Sequence, residues 1–337
     1  MTALVTADLH FSAKKRDAYR FEAARKIGKL AQQKGVDEII ILGDLTEEKD
    51  YHPATLVNEI VDLIHWYSSF CRVVVSRGNH DYTQIDCPFF QFLRRIERVK
   101  WINTMNRIEL SIGDCLFLPH TRDYKKDWAQ LPHLDELDWI FAHNTFEGAS
   151  SEHGKRLSGI PTEFFDGAHV ISGDVHTPQD VGSVTYVGAP YTVDFGDDYQ
   201  PRVLLLKGQW KTRSEKSIPI AGPQKRLIEI TPKDIDNLPD FIRRTDVVAG
   251  DIVKARITLS LQEQEKWFAI RDKVKRSLSD LGMEVHLVQP VTTAKTRSLR
   301  LERVKSKSDE RIIEEFAKAN KASDKSLKVG LDIAREG

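Results

Sequence analysis

Three short apolar runs, Ala3–Ala7, Glu38–Leu42 and Val73–Val75, are separated by two stretches of helical periodicity, and this alternation constrains the fold more than any other feature. Between the first two runs, Phe21, Ala24, Ile27 and Ala31 recur at helical spacing with charges between them, and Gly35 ends the pattern. Between the second and third, Leu56, Val57, Ile60, Ile64 and Tyr67 mark a second amphipathic helix, entered at Pro53. Continuous β-branched runs joined by helices read as parallel strands covered on both faces. In such sheets ligands bind at the carboxyl ends of the strands. All three runs end there in polar residues: Asp8-Leu9-His10, Gly43-Asp44 and Gly78-Asn79-His80-Asp81. One such end is an ordinary surface turn; three in register point to a site. On extended backbone Asp8 and His10 would point to one side, as two ligands of one metal do.

The rhythm changes after Pro88. Phe89 to Arg98 reads as a helix with Arg94, Arg95 and Arg98 on one side, and Trp101 to Leu118 as shorter strands with a turn at Gly113-Asp114. Two more apolar strands follow, each again with a polar end. Leu137–Ala142 stops at His143-Asn144, and Ala168–Ser172 stops at Gly173-Asp174-Val175-His176. The loop between Phe146 and Pro161 is rich in Gly, Ser and charge, and is of a length that carries function or covers a site. Val184–Gly188 and Arg202–Leu206 are expected to complete a second sheet.

Gly222-Pro223 marks a boundary. Beyond it, Leu227–Ile230 and Ile252–Leu259 alternate as strands. Trp267, Ile270, Val274, Leu278 and Leu281 share a helical face, and Glu284–Val288 is a further strand. After Pro290 the chain becomes basic (Lys295, Arg297, Arg300, Arg303, Lys305, Lys307) and leads to Ile312, Ile313, Phe316 and Ala317, an apolar stripe with no obvious partner within the chain. The expected organisation is a large α/β domain over 1–221, a small α+β domain over 222–290, and a linker with a short helix over 291–337.

Composition narrows the setting. Lys plus Arg number 50, as do Asp plus Glu, so net charge favours no nucleic-acid role. Cys71, Cys87 and Cys115 are odd in number and lack paired spacing, so they read as thiols in a reducing compartment. The first residues leave no room for a signal peptide and no apolar run is long enough to span a bilayer, which gives a cytoplasmic expectation with no membrane partner.

The polar strand ends supply Asp8, His10, Asp44, Asn79, His80, His143, Asp174 and His176. Imidazole and oxygen donors without thiolate suit Mn²⁺, Fe or Zn²⁺. The set is too large for one ion and right for two, with one carboxylate bridging and one residue left over. Two ions about 3.5–4 Å apart form the usual clamp for phosphoryl chemistry. A histidine that is not a ligand would then protonate the leaving alkoxide or hold the phosphate.

Asp-x-His, Gly-Asp, Gly-Asn-His-Asp, a lone His and Gly-x-x-His, in that order over residues 5 to about 206, resemble the calcineurin-like metallophosphoesterase signature. Within that superfamily, Gly173-Asp174-Val175-His176-Thr177-Pro178-Gln179, the later Gly188-Ala189-Pro190, the small unit and the charged tail are most similar to the SbcD-type nuclease subunit of DNA double-strand-break repair. The resemblance implies a two-sheet sandwich flanked by helices, a small capping domain, and a C-terminal helix that docks on an SbcC-type coiled-coil ATPase. It implies that Asp8, His10, Asp44 and His176 hold one metal, and Asp44, Asn79, His143 and Asp174 the other. It makes His80 the catalytic histidine, oriented by Asp81. The family usually has His where this chain has Asp174, which favours harder ions or weakens that site.

The expected activity is Mn²⁺-dependent (or Mg²⁺-dependent) exonuclease and endonuclease cleavage of DNA single strands and duplex ends, in a homodimer to which Phe89, Phe90, Phe92 and Leu93 would lend a surface unless they are core. The alternatives are a phosphodiesterase or phosphatase acting alone on a small substrate, and a weakly catalytic scaffold on DNA ends. Arg77 and Arg122 are candidates for phosphate contacts. His52, His65, His120, His133, His153, His169 and His286 are expected on surfaces or in satisfied polar positions, His52 nearest the site.

Overall fold

The computed structural model describes residues 1–151, 154–209 and 212–292. The basic segment, the stripe at Ile312–Ala317 and His153 lie outside the described residues. The described residues form two compact units, the first comprising Met1–Arg226 with Gly250–Ile252, the second Leu227–Ala249 with the described residues from Val253.

The first unit is built from two six-stranded sheets. Strands β1 (Thr2–Thr6), β2 (Glu38–Leu42), β3 (Arg72–Ser76) and β4 (Val99–Ile102) run parallel, with helices α1 (Ala18–Lys34) and α2 (Ala54–Phe70) as crossovers. The second sheet holds β5 (Asn106–Leu110), β6 (Gly113–Leu118), β7 (Trp139–His143), β8 (Val170–Gly173), β9 (Gln179–Val181) and β10 (Val184–Tyr186), in the order β5-β6-β7-β8-β10-β9. Strands β11 (Arg202–Lys207) and β12 (Ser214–Pro219) return to the first sheet, whose order is β12-β11-β1-β2-β3-β4.

Period-two alternation divides the strands of the first sheet between two cores. Leu4, Ile39, Ile41, Val73 and Val75 pack with Ile27, Ile60 and Ile64 of the helices. Ala3, Val5, Ile40, Leu42 and Val74 pack with Phe117, Trp139, Phe141 and Ile171 of the second sheet. Leu116, Ile140, Ala142 and Val170 then face outward from the second sheet onto Trp128, Phe146 and Phe165. The unit is therefore a two-sheet α/β sandwich flanked by helices, as the family resemblance implied.

Two local expectations are corrected. Arg202–Leu206 does not complete the second sheet; β11 pairs antiparallel with β1. Its alternate residues feed both cores, Val203 and Leu205 towards the helices and Leu204 and Leu206 towards the second sheet, so only the first sheet can accommodate it. The stretch after Pro88 is a tight 3₁₀ helix, Phe89–Arg95, with Phe90 and Leu93 in the core and Phe89 37% exposed. Strands β9 and β12 are short or polar enough to leave no apolar signature.

In the second unit, β13 (Lys225–Ile230), β14 (Ile252–Leu259) and β15 (Glu284–Thr292) form a three-stranded sheet. Helix α3 (Trp267–Asp280) buries Val274 and Leu278 in a core with Ile230, Val253, Ala255, Ile257 and Leu259. Two short helices, Pro232–Ile235 and Leu238–Arg243, complete the unit.

Candidate metal centre

Strand β1 stops at Thr6, and the next residues do not stay extended. Asp8 (φ 55°) and His10 (φ 39°) are left-handed, so their convergence comes from a turn and not from strand alternation. The turn is laid against the loop after β2 by backbone hydrogen bonds: Asp8 N–H donates to the Gly43 carbonyl (3.2 Å), His10 N–H to that of Asp44 (2.8 Å) and Phe11 N–H to that of Leu45 (2.9 Å). Asp44 (φ 53°) and Asp174 (φ 83°) are also left-handed. Such residues cost roughly 1–3 kcal/mol each and persist where surrounding structure holds them, characteristically at functional sites. Glycine gives the room for this crowding. A Cβ on Gly43 would lie 2.3 Å from His143 Nδ1, and one on Gly78 would lie 2.2 Å from Asp44 Oδ1.

The expected residues converge around Asp44. Its Oδ2 lies 3.4 Å from His10 Nε2, and its Oδ1 lies 3.4 Å from His143 Nε2, so one carboxylate spans two imidazoles. At the first end, His10 Nε2 and His176 Nε2 are 3.1 Å apart, and Asp8 joins them in one cluster of donor atoms. At the second, His143 Nε2 is 3.2 Å from Asn79 Oδ1 and 3.8 Å from Asp174 Oδ1. His143 Nδ1–H donates to the Leu42 carbonyl at 2.6 Å, which turns Nε2 towards the acidic residues. His80 stands beside the first end, its ring centroid 4.9 Å from that of His10.

Asp81 acts differently from the expectation. Its carboxylate accepts N–H groups from Gly78 (2.6 Å), Asp44 (2.9 Å) and Leu45 (2.9 Å), and so staples the loop after β3 to the loop after β2. His80 is oriented instead by Nδ1–H donation to the Glu47 carbonyl at 2.7 Å. Hydrogen bonds to a charged acceptor are worth about 1.5–3 kcal/mol each, enough for Asp81 to hold both loops.

Electrostatics call for cations. Burial, with repulsion from Asp44 and Asp174, raises Asp8 to about 7 against the pull of His143 and His176. Burial opposes ionisation of Asp44 as well, but His143, His10 and His80 overcome it and hold that carboxyl well below its usual range. Burial brings His10 down to about 3, keeping it neutral. His143 is driven the other way: despite burial, Asp44, Asp8 and Asp174 hold it well above its usual range. Without a cation, a proton on His143 is the nearest substitute for one.

The donor set fits two divalent ions. The 3.1 Å separation of His10 Nε2 and His176 Nε2 is near the about 3.0–3.4 Å expected of neighbouring nitrogens on one ion. Asp8 Oδ2 is buried with no hydrogen-bond partner, which is costly for a carboxylate oxygen unless a cation meets it. The donors are imidazole, carboxylate and amide oxygen, without thiolate, a mixture suited to Mn²⁺ and its neighbours.

Several residues of the site carried no motif. Thr145 Oγ–H donates to Asp174 Oδ2 at 2.5 Å. Arg20, buried in α1, donates to the His10 carbonyl and to Glu47 Oε2 (2.8 Å). Tyr191 donates to the Leu9 carbonyl. His120, expected to be merely satisfied, lies with its ring centroid 6.3 Å from that of His143. Arg77 is not a phosphate contact: it is buried, donating to the His120 carbonyl (2.5 Å) and Asn103 Oδ1 (3.2 Å). His52 packs on Phe89 and Phe90 rather than entering the cluster, and His169 pairs with Glu215 at 3.0 Å.

Among solved structures, the chain is similar to an archaeal phosphodiesterase (12% identity, 65% of this chain and 100% of that one, TM-score 0.37). It is also similar to the E. coli phosphoesterase YfcE (14%, 66% and 100%, TM-score 0.34) and a dimetal phosphatase from Danio rerio (10%, 66% and 99%, TM-score 0.38). No curated protein matches it by sequence. Among the described residues no helix is long and apolar enough to cross a membrane. The family model for calcineurin-like phosphoesterases matches residues 1–178, the span that carries every strand end of the centre. By that match, over more than half its length, the chain belongs to the calcineurin-like phosphoesterase family, whose hydrolases work with two divalent metal ions.

Proposed function

We propose that this chain is a Mn²⁺-dependent phosphodiesterase of the nuclease kind, cleaving DNA strands and ends in concert with an SbcC-type ATPase. The observation that carries the phosphodiester chemistry is Asp44, one carboxylate within 3.4 Å of His10 on one side and of His143 on the other. Asp8, His10, Asp44 and His176 would hold one ion, and Asp44, Asn79, His143 and Asp174 the other. Ions held there would lower the pKa of a bound water, so that hydroxide is at hand to attack phosphorus, and would supply positive charge for the phosphate oxygens. His80, anchored through Nδ1 to the Glu47 carbonyl, keeps Nε2 for proton donation to the leaving oxygen. Asp81 keeps the two loops in register, and Thr145 keeps Asp174 turned to its end.

The nuclease reading is supported by the SbcD-like motif from Gly173 to Gln179 and by the presence of a second unit with a core of its own. The basic run between Lys295 and Lys307 suits phosphate backbones, and the stripe at Ile312–Ala317 suits a groove on the ATPase. Phe89, 37% exposed beside buried Phe90, is left as the contribution of that segment to a homodimer.

A small-substrate phosphodiesterase is the second reading, favoured by the confinement of every candidate ligand to the first unit. The two separate in one assay. The Mn²⁺-loaded chain is offered single-stranded DNA and bis(p-nitrophenyl) phosphate, with and without residues 291–337. The nuclease reading expects DNA to be cleaved far more efficiently than the chromogenic ester, and expects truncation to spare that cleavage while abolishing association with the ATPase. Turnover of the ester with DNA left intact would establish the small-substrate reading.

A further inference from the structure

We propose that His120 is a substrate-contacting residue, an N–H donor to a phosphate oxygen on the His143 side of the centre, and that Tyr82 is the positioning residue that fixes its tautomer. The proposal rests on the phosphoester reading above; neither His120 nor Tyr82 is among the assigned metal ligands.

His120 follows β6, the neighbour of β7, and its backbone is locked. Its N–H donates to the Arg77 carbonyl at 3.0 Å, and its own carbonyl accepts Arg77 Nη2 at 2.5 Å. The ring stands nearly perpendicular to that of His143, at 78° and 6.3 Å between centroids. Nδ1 lies 2.9 Å from the Tyr82 hydroxyl. Tyr82 is 3% exposed, and among the described residues its hydroxyl has no other partner. A buried phenol that did not donate would forfeit a hydrogen bond worth about 1–3 kcal/mol. The O–H therefore donates to Nδ1, and the proton of the neutral ring sits on Nε2.

Nε2–H then has no acceptor among the described residues, in a half-buried side chain beside His143. Arg77 and Arg122 both lie over the Tyr82 ring, at 4.3 and 5.7 Å from its centroid. With its proton placed on Nε2 by Tyr82, the imidazole offers an oriented dipole to developing negative charge, an arrangement whose loss elsewhere typically costs about 10²–10³ in rate.

Two measurements decide the matter. In the first, imidazole ¹⁵N spectra of the metal-loaded protein are recorded while inorganic phosphate is added. The proposal expects the Nε2–H tautomer at His120 and a shift of that resonance as phosphate saturates. A proton on Nδ1, or a resonance indifferent to saturating phosphate, overturns it. In the second, hydrolysis of bis(p-nitrophenyl) phosphate is followed for His120→Ala, His120→Asn, His120→Gln and Tyr82→Phe at unchanged metal content and melting temperature. The expected loss in kcat/KM is about 10²-fold for Ala and Asn. Gln, whose amide reaches the Nε2 position, should recover part of it, and Tyr82→Phe should cost less than His120→Ala. The pH–rate profile should keep both limbs in every variant. Unchanged kcat/KM in His120→Ala, or loss of one limb, counts against the proposal. If the wild-type chain hydrolyses no phosphoester, the functional reading fails, whereas the phosphate titration still decides the role of His120.

Discussion

At the His10 end of the centre, two imidazole nitrogens face one another across 3.1 Å, and Asp8 Oδ2 is buried with no hydrogen-bond partner. At the His143 end each group is tied down: His143 to the Leu42 carbonyl, Asp174 to Thr145, Asn79 to His143. The first end relies on two imidazoles gathered with Asp8. The second relies on oxygen donors whose directions the protein has already fixed, with a carboxylate where the family usually has imidazole. The difference predicts unlike affinities and unlike metal tastes at the two ends, and Asp44 as the group on which both depend.

Removing that shared group should have the largest effect. Asp44→Ala is expected to lower Mn²⁺-dependent hydrolysis on the order of 10³-fold or more and to deplete metal from both ends. Elemental analysis alongside the assay checks this, and depletion of one end alone would break the symmetry argued for Asp44. His80→Asn comes next. With Nε2 gone, the rate should fall by roughly 10²–10⁴-fold while both ions stay bound. Metal loss with unchanged turnover per ion would make His80 a ligand.

Smaller effects sharpen the contrast between the ends. Thr145→Val removes the hydroxyl that aims Asp174, and should weaken metal at the second end by about 10–100-fold while sparing the first. A two-site calorimetric titration resolves the two. Asp8→Asn tests the electrostatics of the metal-free protein. Its folded-state pKa, about 7, lies above the ordinary 3.8, so the ionised form is disfavoured by folding. The penalty is absent below about pH 4, grows as pH rises, and is complete above about pH 7. Metal-free Asp8→Asn should therefore melt with wild type at pH 4 and several degrees above it at pH 8. Added Mn²⁺ should reverse the order, because only the carboxylate gains from the ion. Equal melting curves at pH 8 would mean that Asp8 carries no such penalty.

The parts of this molecule that could be read in advance share a physical origin. Ile39–Leu42 and Val73–Val75 are buried on both faces, so their composition announces parallel strands, and the polar residues after them stand out against it. What could not be read depended on tertiary partners. β11 is as apolar as a strand of either sheet, and only its contacts with both cores assign it. The convergence of Asp8 and His10 was foreseen for the wrong reason, since left-handed backbone is not visible in residue type when it is not glycine. Thr145, Glu47 and His120 act as single residues in loops, at no spacing from one another that a motif could capture. Asp81 was legible as important, but its partners are backbone amides, and a sequence does not say which.

The central claim is that one carboxylate, Asp44, joins two ends into a single dinuclear centre. Electron paramagnetic resonance during a Mn²⁺ titration tests it most directly. The account predicts two ions per chain and, at saturation, the spectrum of an exchange-coupled pair, lost in Asp44→Ala. Saturation at one ion, or two ions that remain magnetically independent in the wild-type chain, would contradict it.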